Sequence, residues 1–231
     1  MALAALNQGH AVSINTYPSL SAAISAWLAR DGDADIAARF DDLLALMEQG
    51  LYWGRTELPQ LGLPACERLR IREMEVTDAA FALGAIVAQP AGFLELIEAT
   101  LNSPLRPLDI VAEGVIAAYG EQLSGGTRLI AVSGTNFLLK DDPGSATATL
   151  KYFKKFDSPS ATNPTNWLLT NAPGVYLNGC LREAAILTGD PEAAKLYDAL
   201  YSGAVRSLNQ KRNTELMYAT NVRLRVRGRT P

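Results

Sequence analysis

The chain has one histidine, His10, and only two cysteines, Cys66 and Cys180. So little histidine excludes histidine-based triads, His-ligated metal centres and most general-base schemes. Two cysteines far apart in sequence make neither a disulfide scaffold nor a zinc site. Cys180 falls among Leu177, Leu181 and Ala184 at helical spacing, which predicts a buried free thiol. No apolar run reaches the roughly 18 residues of a bilayer span, so no membrane partner is expected. The opening residues MALAALNQGHAVSIN hold no basic residue ahead of their apolar part, and no secretory signal is expected.

Weak chemical signals yield to plainer readings. Ser124-Gly125-Gly126-Thr127 is glycine-rich, but no lysine follows as a phosphate-binding loop requires, and the stretch reads as a hairpin loop. The carboxylate pair Asp41/Asp42 lies on the wet face of a predicted helix, and Asp141/Asp142 precede Pro143 in a turn. Trp27, Trp53 and Trp167 sit at apolar elements or their ends, which points to core packing rather than base stacking. No catalytic, cofactor-binding or metal-binding residue emerges. No enzyme and no cofactor are expected.

What is present is a large apolar fraction, 48% of 231 residues, enough for a sizeable core. Charge is unevenly placed. Seven of the 21 basic residues lie from Arg206 onward against one acidic residue, Glu215, leaving 14 basic and 23 acidic before it. An acidic body with a basic tail seeks an acidic surface or a phosphate backbone.

Along the chain, residues 1–16 read as an extended arm. Leu20, Ile24, Trp27 and Leu28 then mark one face of a first helix with Ser19 as its cap. A second helix over 34–52 places Ile36, Phe40, Leu43, Leu44, Met47 and Leu51 on one stripe. From 55 to 156 prolines punctuate short strand candidates at 69–77, 94–101, 108–111, 128–133, 137–140 and 147–153. Ser133-Gly134-Thr135-Asn136 joins two of them, and 112–119 reads as a short helix.

The best-punctuated stretch is Asn163 to Tyr201. Pro164 and Thr165 open a short apolar turn, and Asn171 and Pro173 begin a helix that Gly189 ends. Asp190 and Pro191 then start another, running to about Arg212, with Ala193, Leu196, Tyr197, Leu200, Ala204 and Leu208 as its apolar stripe. Beyond Asn213 the helix signal fades. Val222, Arg223, Leu224, Arg225, Val226 and Arg227 alternate strictly, the mark of a strand awaiting a partner or of an arm ordered by assembly, with Arg229 just beyond. Arg182 and Glu183 are the only charges inside the middle helix and are assigned to neighbour contacts.

The fold expected is α+β: a helical bundle from 17–54 and 157–213, an inserted antiparallel β-rich module at 55–156, an N-terminal arm at 1–16 and a basic C-terminal arm at 214–231.

Several segments together resemble the adaptor proteins of tailed-phage head–tail connectors. They are Tyr17-Pro18-Ser19-Leu20 with Ile24, Trp27 and Leu28, the second helix, Ala88 to Glu95 around Pro90, Lys151-Tyr152-Phe153 and Asn166-Trp167-Leu168-Leu169. The strongest segment is Tyr176-Leu177-Asn178-Gly179-Cys180-Leu181-Arg182-Glu183-Ala184. None of these motifs is catalytic. The resemblance implies a structural virion protein that forms a ring, commonly of twelve, beneath the portal protein. It further implies a C-terminal segment docked on the portal, here Val222–Arg227 and Arg229, and a next tail, stopper or nozzle component below. Double-stranded DNA would pass through the lumen without sequence-specific binding, and the acidic body suits such sliding. The other reading is a nucleic-acid-binding accessory protein acting through its arginine-rich arm.

Overall fold

A computed structural model of the chain describes residues 13–30, 38–118, 129–139 and 146–219. The fold is α+β, and the chain divides into two compact units, one from Met1–Ile71 and Ser158–Pro231, the other Arg72–Asp157.

The first unit is helical. Helix α1, Tyr17–Arg30, buries Leu20, Ile24 and Leu28. Its start is fixed one turn earlier than Ser19 suggests. The Thr16 backbone N–H donates to Ser19 Oγ at 3.0 Å and the Ser19 N–H to Thr16 Oγ1 at 3.4 Å, so Thr16 caps and Ser19 answers from inside the helix. Trp27 is 44% exposed and Trp53 60%, so neither indole is packed in the core as expected. Each lies beyond the edge of its helix's buried stripe.

Helix α2, Phe40–Trp53, buries Phe40, Leu43, Leu44, Met47 and Leu51, the expected stripe. Ile36 lies outside the described residues. Helix α4, Trp167–Asn171, replaces the turn expected there, because the Asn166 side chain accepts from the Leu169 N–H at 2.8 Å and caps it. Asn171 therefore closes α4, donating to the Trp167 carbonyl, instead of opening the next helix. Helix α5, Pro173–Thr188, starts on Pro173 without a side-chain cap and ends at Gly189, whose φ of 73° is left-handed. Asp190 Oδ1 then accepts from the N–H groups of Glu192 and Ala193 and starts α6, Pro191–Ala219.

Helix α6 departs from expectation twice. It runs past Asn213 to Ala219, with Thr214 Oγ1 bonded back to the Gln210 carbonyl at 3.0 Å. Its buried stripe is Ala194, Asp198, Tyr201 and Val205, while Leu196 and Leu200 face out. The helix is turned so that a carboxylate and a phenol face inward. The reason is a buried arginine on α5, described below.

Residues 55–71, assigned by their prolines to the β-rich insertion, lie in the helical unit. Hydrogen bonds from their backbone strap them there. The Leu69 N–H donates to the Leu51 carbonyl at 2.9 Å, and the Arg70 N–H to Asn209 Oδ1 at 2.9 Å.

Where α5 crosses α2 and α6, Gly179 permits the approach. A Cβ there would lie 2.3 Å from Met47 Cγ and 3.1 Å from Tyr201 Cδ2. Gly179→Ala is therefore expected to destabilise the protein by about 1–3 kcal/mol through overpacking. Trimming Met47 in the same chain should recover part of the loss, and urea unfolding of the single and double variants checks both.

The second unit holds two four-stranded sheets. One has the order β1-β8-β3-β4, from strands Glu75–Ala82, Thr147–Lys154, Phe93–Asn102 and Leu105–Pro107. The other has the order β2-β7-β6-β5, from Ile86–Ala88, Asn136–Leu139, Leu129–Ser133 and Asp109–Val111, with helix α3, Glu113–Ala118, leading away from β5. The turn at Gly134 joins β6 and β7 as a hairpin. Among the described residues all pairs are antiparallel except β5–β6, which is parallel and so departs from a wholly antiparallel module. Strand β1 begins later than residue 69, because Arg72–Met74 forms a 3-10 turn first. The two sheets share one core, in which Leu96, Leu150 and Tyr152 of the first meet Ile130, Phe137 and Leu139 of the second.

Candidate functional site

The most concentrated chemistry among the described residues lies inside the helical unit, and it begins at Arg182. The α5 periodicity that buries Val175, Cys180 and Ala184 carries Arg182 inward as well, to 0% exposure. Such a charge requires partners, and it has several. Its Nε donates to Glu183 Oε1 at 2.9 Å, and its Nη2 binds the same oxygen. Nη1 stands 3.5 Å from Asp198 Oδ1, and the guanidinium carbon lies 4.2 Å from the Tyr201 ring centroid. Arg55 Nη2 reaches Asp198 Oδ1 from the other side at 2.7 Å. Burial works against the charge on Arg182, but the Glu183 carboxylate and the groups behind it outweigh that and leave the guanidinium pKa above its ordinary value. This cluster selects the inward face of α6.

A second polar chain continues from α2. Tyr176 Oη donates to Glu48 Oε1 at 3.1 Å, and Asn166 Nδ2 donates to Tyr176 Oη at 2.8 Å. Ser158 Oγ also donates to Glu48. Burial above all pushes the Tyr176 phenol far above its ordinary value, and the same cause raises Tyr201 and the Cys180 thiol. Cys180 is buried and unbridged, as expected, and Cys66 is too.

These shifts set a pH dependence. Each group holds its proton more tightly folded than unfolded, so the unfolded chain releases protons first as pH rises and folding stability falls. Stability is fully present below the ordinary thiol value of 9.0 and phenol value of 10.0 and declines above them. Tyr176→Phe is expected to flatten the alkaline decline, which unfolding followed from neutral pH upward will measure.

The arrangement binds helices together. Among the described residues, three clefts of the helical unit carry one carboxylate each, Asp190, Glu67 and Asp198. None supplies the facing pair that carboxylate hydrolysis uses. Arg182, expected to meet a neighbouring subunit, is enclosed by its own chain, and the Glu183 side chain is 13% exposed. Val222, Arg223, Leu224, Arg225, Val226, Arg227 and Arg229 lie outside the described residues, as does Ser124–Thr127.

Sequence reasoning missed the outward apolar residues. Leu46 and Trp53 stand on the solvent side of α2, and Leu196 and Leu200 on that of α6. The usable signal was Asp198, a carboxylate four residues beyond Ala194 and three before Tyr201, which competes with the leucines for the inward face.

Six of the nine positions of the central motif, Tyr176 to Ala184, are thereby explained. Tyr176 holds Glu48, Gly179 admits Met47, Cys180 and Ala184 fill the core, and Arg182 collects Asp198 and Glu183. A family model described as the SU10 adaptor protein matches residues 15–227. The chain belongs to that family. The SU10 adaptor proteins are phage structural adaptors, virion components that join head and tail parts, and the family is structural rather than catalytic. No curated protein matches the chain.

Proposed function

We propose that this SU10 adaptor protein is the subunit of a closed ring that joins the portal to the tail and surrounds the DNA exit channel. The observation that carries the reading is the extent of the family match, residues 15–227, which takes in both units and most of the basic arm. In this reading the protein makes three contacts: with copies of itself, with the portal, and with the next tail, stopper or nozzle component. Ring subunits meet head to tail, a heterologous contact that closes by symmetry.

The portal contact is assigned to the C-terminal arm. Val222, Leu224 and Val226 would face one way and Arg223, Arg225 and Arg227 the other if the arm adds to a sheet edge or lies in a groove. Helix α6 ends at Ala219, so removing residues 220–231 leaves every described element whole. That truncation is expected to fold and to lose portal binding. Mass measurement of the protein with and without its portal tests this directly, and a truncated chain that still binds would refute the docking role.

The arginine content of the arm also supports a second reading, a nucleic-acid-binding accessory protein. Replacing Arg223, Arg225, Arg227 and Arg229 together would then abolish a steeply salt-dependent affinity for DNA. In a ring of acidic subunits, DNA slides without sticking, and the intact protein would show little such affinity. A strongly positive lumen in the assembled ring would contradict that account.

A further inference from the structure

A head-to-tail ring requires two different surfaces on one chain that fit each other, and the helical unit presents a pair. On α2 the solvent side is Asp41, Asp42, Ala45, Leu46, Gln49 and Trp53, with Leu46 43% and Trp53 60% exposed. On α6 it includes Lys195, Leu196, Ala199, Leu200, Gly203 and Arg206, with Leu196 58% and Leu200 50% exposed. Leu46 and Trp53 are seven residues apart and Leu196 and Leu200 four apart, so each pair forms a ridge along one side of its helix. Contiguous apolar surface left in water, unlike apolar residues scattered singly, marks an interaction surface.

The charges complement each other. Both exposed charges on α2 are acidic, whereas α6 from Pro191 through Lys211 exposes Lys195, Arg206 and Lys211 against Glu192. The charges alone allow either direction, since Lys195 and Arg206 are both basic; the leucines choose it, because only the antiparallel alignment sets Trp53 against Leu196. Asp42 and Trp53 are eleven residues apart, as are Lys195 and Arg206, so at about 1.5 Å per residue both pairs span roughly 16 Å. Laid antiparallel, Asp42 falls opposite Arg206 and Trp53 opposite Lys195 and Leu196, with Leu46 beside Leu200 between them. A 360 Å³ cleft flanks this ridge, lined by Pro64, Ala199 and Gly203 with Lys195, Asp198 and Arg206.

The ion pairs these charges now make are exposed ones and yield easily. Asp42 meets Arg39 at 3.3 Å, Lys195 meets Glu192 at 2.9 Å, and Arg206 meets Glu67 at 4.0 Å, all well open to water.

From this we infer that α2 of one subunit packs antiparallel on α6 of the next copy, with Asp42 against Arg206 and Leu46 and Trp53 against Leu196 and Leu200. This inference rests on the ring reading above and assigns the contact that would close the ring.

Two variants of the full chain separate the two claims. One carries Leu196→Asp and Leu200→Asp, the other Leu46→Asp and Trp53→Asp. All four positions are substantially exposed, and circular dichroism will confirm that both variants fold. Sedimentation with and without the portal is expected to show wild type assembling and each variant weakened about tenfold or more. Mixed together, the variants should form one-to-one heterodimers that grow no further, because only one sound α2 face meets one sound α6 face. Variants that assemble as wild type does, or a mixture that builds full rings, would overturn the assigned contact and leave the ring reading standing. A wild-type chain that never assembles, even with the portal, would overturn both. The charge swap fixes the direction. Asp42→Arg and Arg206→Asp should each weaken assembly and together restore it, and failure to restore would reject the antiparallel pairing.

Discussion

Arg182→Met is expected to destabilise the helical unit by about 3 kcal/mol, the lower end of the 3–5 kcal/mol that breaking a buried ion pair costs. The upper end applies when a carboxylate is left in the interior with no cation. Here Asp198 keeps Arg55 at 2.7 Å, so one of the two carboxylates stays compensated. Glu183 does not have that cover. It takes both Nε and Nη2 of Arg182, and the substitution leaves its carboxylate mostly enclosed with those bonds gone. The contact of the guanidinium with the Tyr201 ring is lost as well. Methionine fills much of the volume, so the loss reports charge pairing more than a cavity. Urea unfolding of Arg182→Met, Glu183→Gln and the double variant measures the coupling. The double variant should lose clearly less than the two single losses added together. Additive losses, or an Arg182→Met loss below about 1 kcal/mol, would mean that the pair does not hold the fold.

The same cluster explains why part of this molecule was legible from its sequence and part was not. Elements whose local signals and packing agree were readable. The α2 stripe from Phe40 to Leu51, the αL stop at Gly189 and the Asp190 cap are cases in which a periodic face or a single residue suffices. Strands β3 and β8 were readable for the same reason. The inward face of α6 was not, because two faces of that helix are apolar enough to bury and the choice between them was made by Arg182, on another helix. Arg182 itself stood out as a charge in an apolar run, but its partner Asp198 lies on another helix, and a residue with only its neighbour Glu183 in view is naturally assigned to a surface. Strands β2 and β4 are three residues long, too short for an alternating pattern to repeat. The segment 55–71 has strand-like punctuation, yet it is held to the helices by scattered bonds, Leu69 to the Leu51 carbonyl, Arg70 to Asn209 and Arg55 to Asp198, that leave no pattern. Of the candidate interaction residues, the arginine arm was legible as composition, whereas Trp53, Leu196 and Leu200 read as core, and Leu46 lay off the α2 stripe with nothing to single it out.

In the β-rich unit the largest expected loss is at Phe137. The ring is completely buried on β7 and meets Phe81 of β1 edge-on at 5.8 Å and Phe93 of β3 at 5.1 Å, with interplanar angles of 79° and 87°. Phe93 in turn meets Tyr152 of β8 at 5.7 Å. Strand β7 belongs to one sheet and the other three strands to its partner sheet, so one side chain links the two layers. Phe137→Ala is expected to cost about 3–5 kcal/mol, from lost transfer energy and the cavity left behind. The edge-to-face pairs add roughly 0.5–1.5 kcal/mol of this that another apolar group does not restore. Phe137→Leu should therefore recover more than half of the loss but not all of it. Hydrogen exchange gives a local readout, since amides of β3 and β8 should lose protection in Phe137→Ala although the substitution lies on the other sheet. Protection lost in β6 and β7 alone would show that the ring supports its own hairpin and does not join the layers. The joint between the layers would then rest on the aliphatic contacts of Leu96, Leu150 and Ile130.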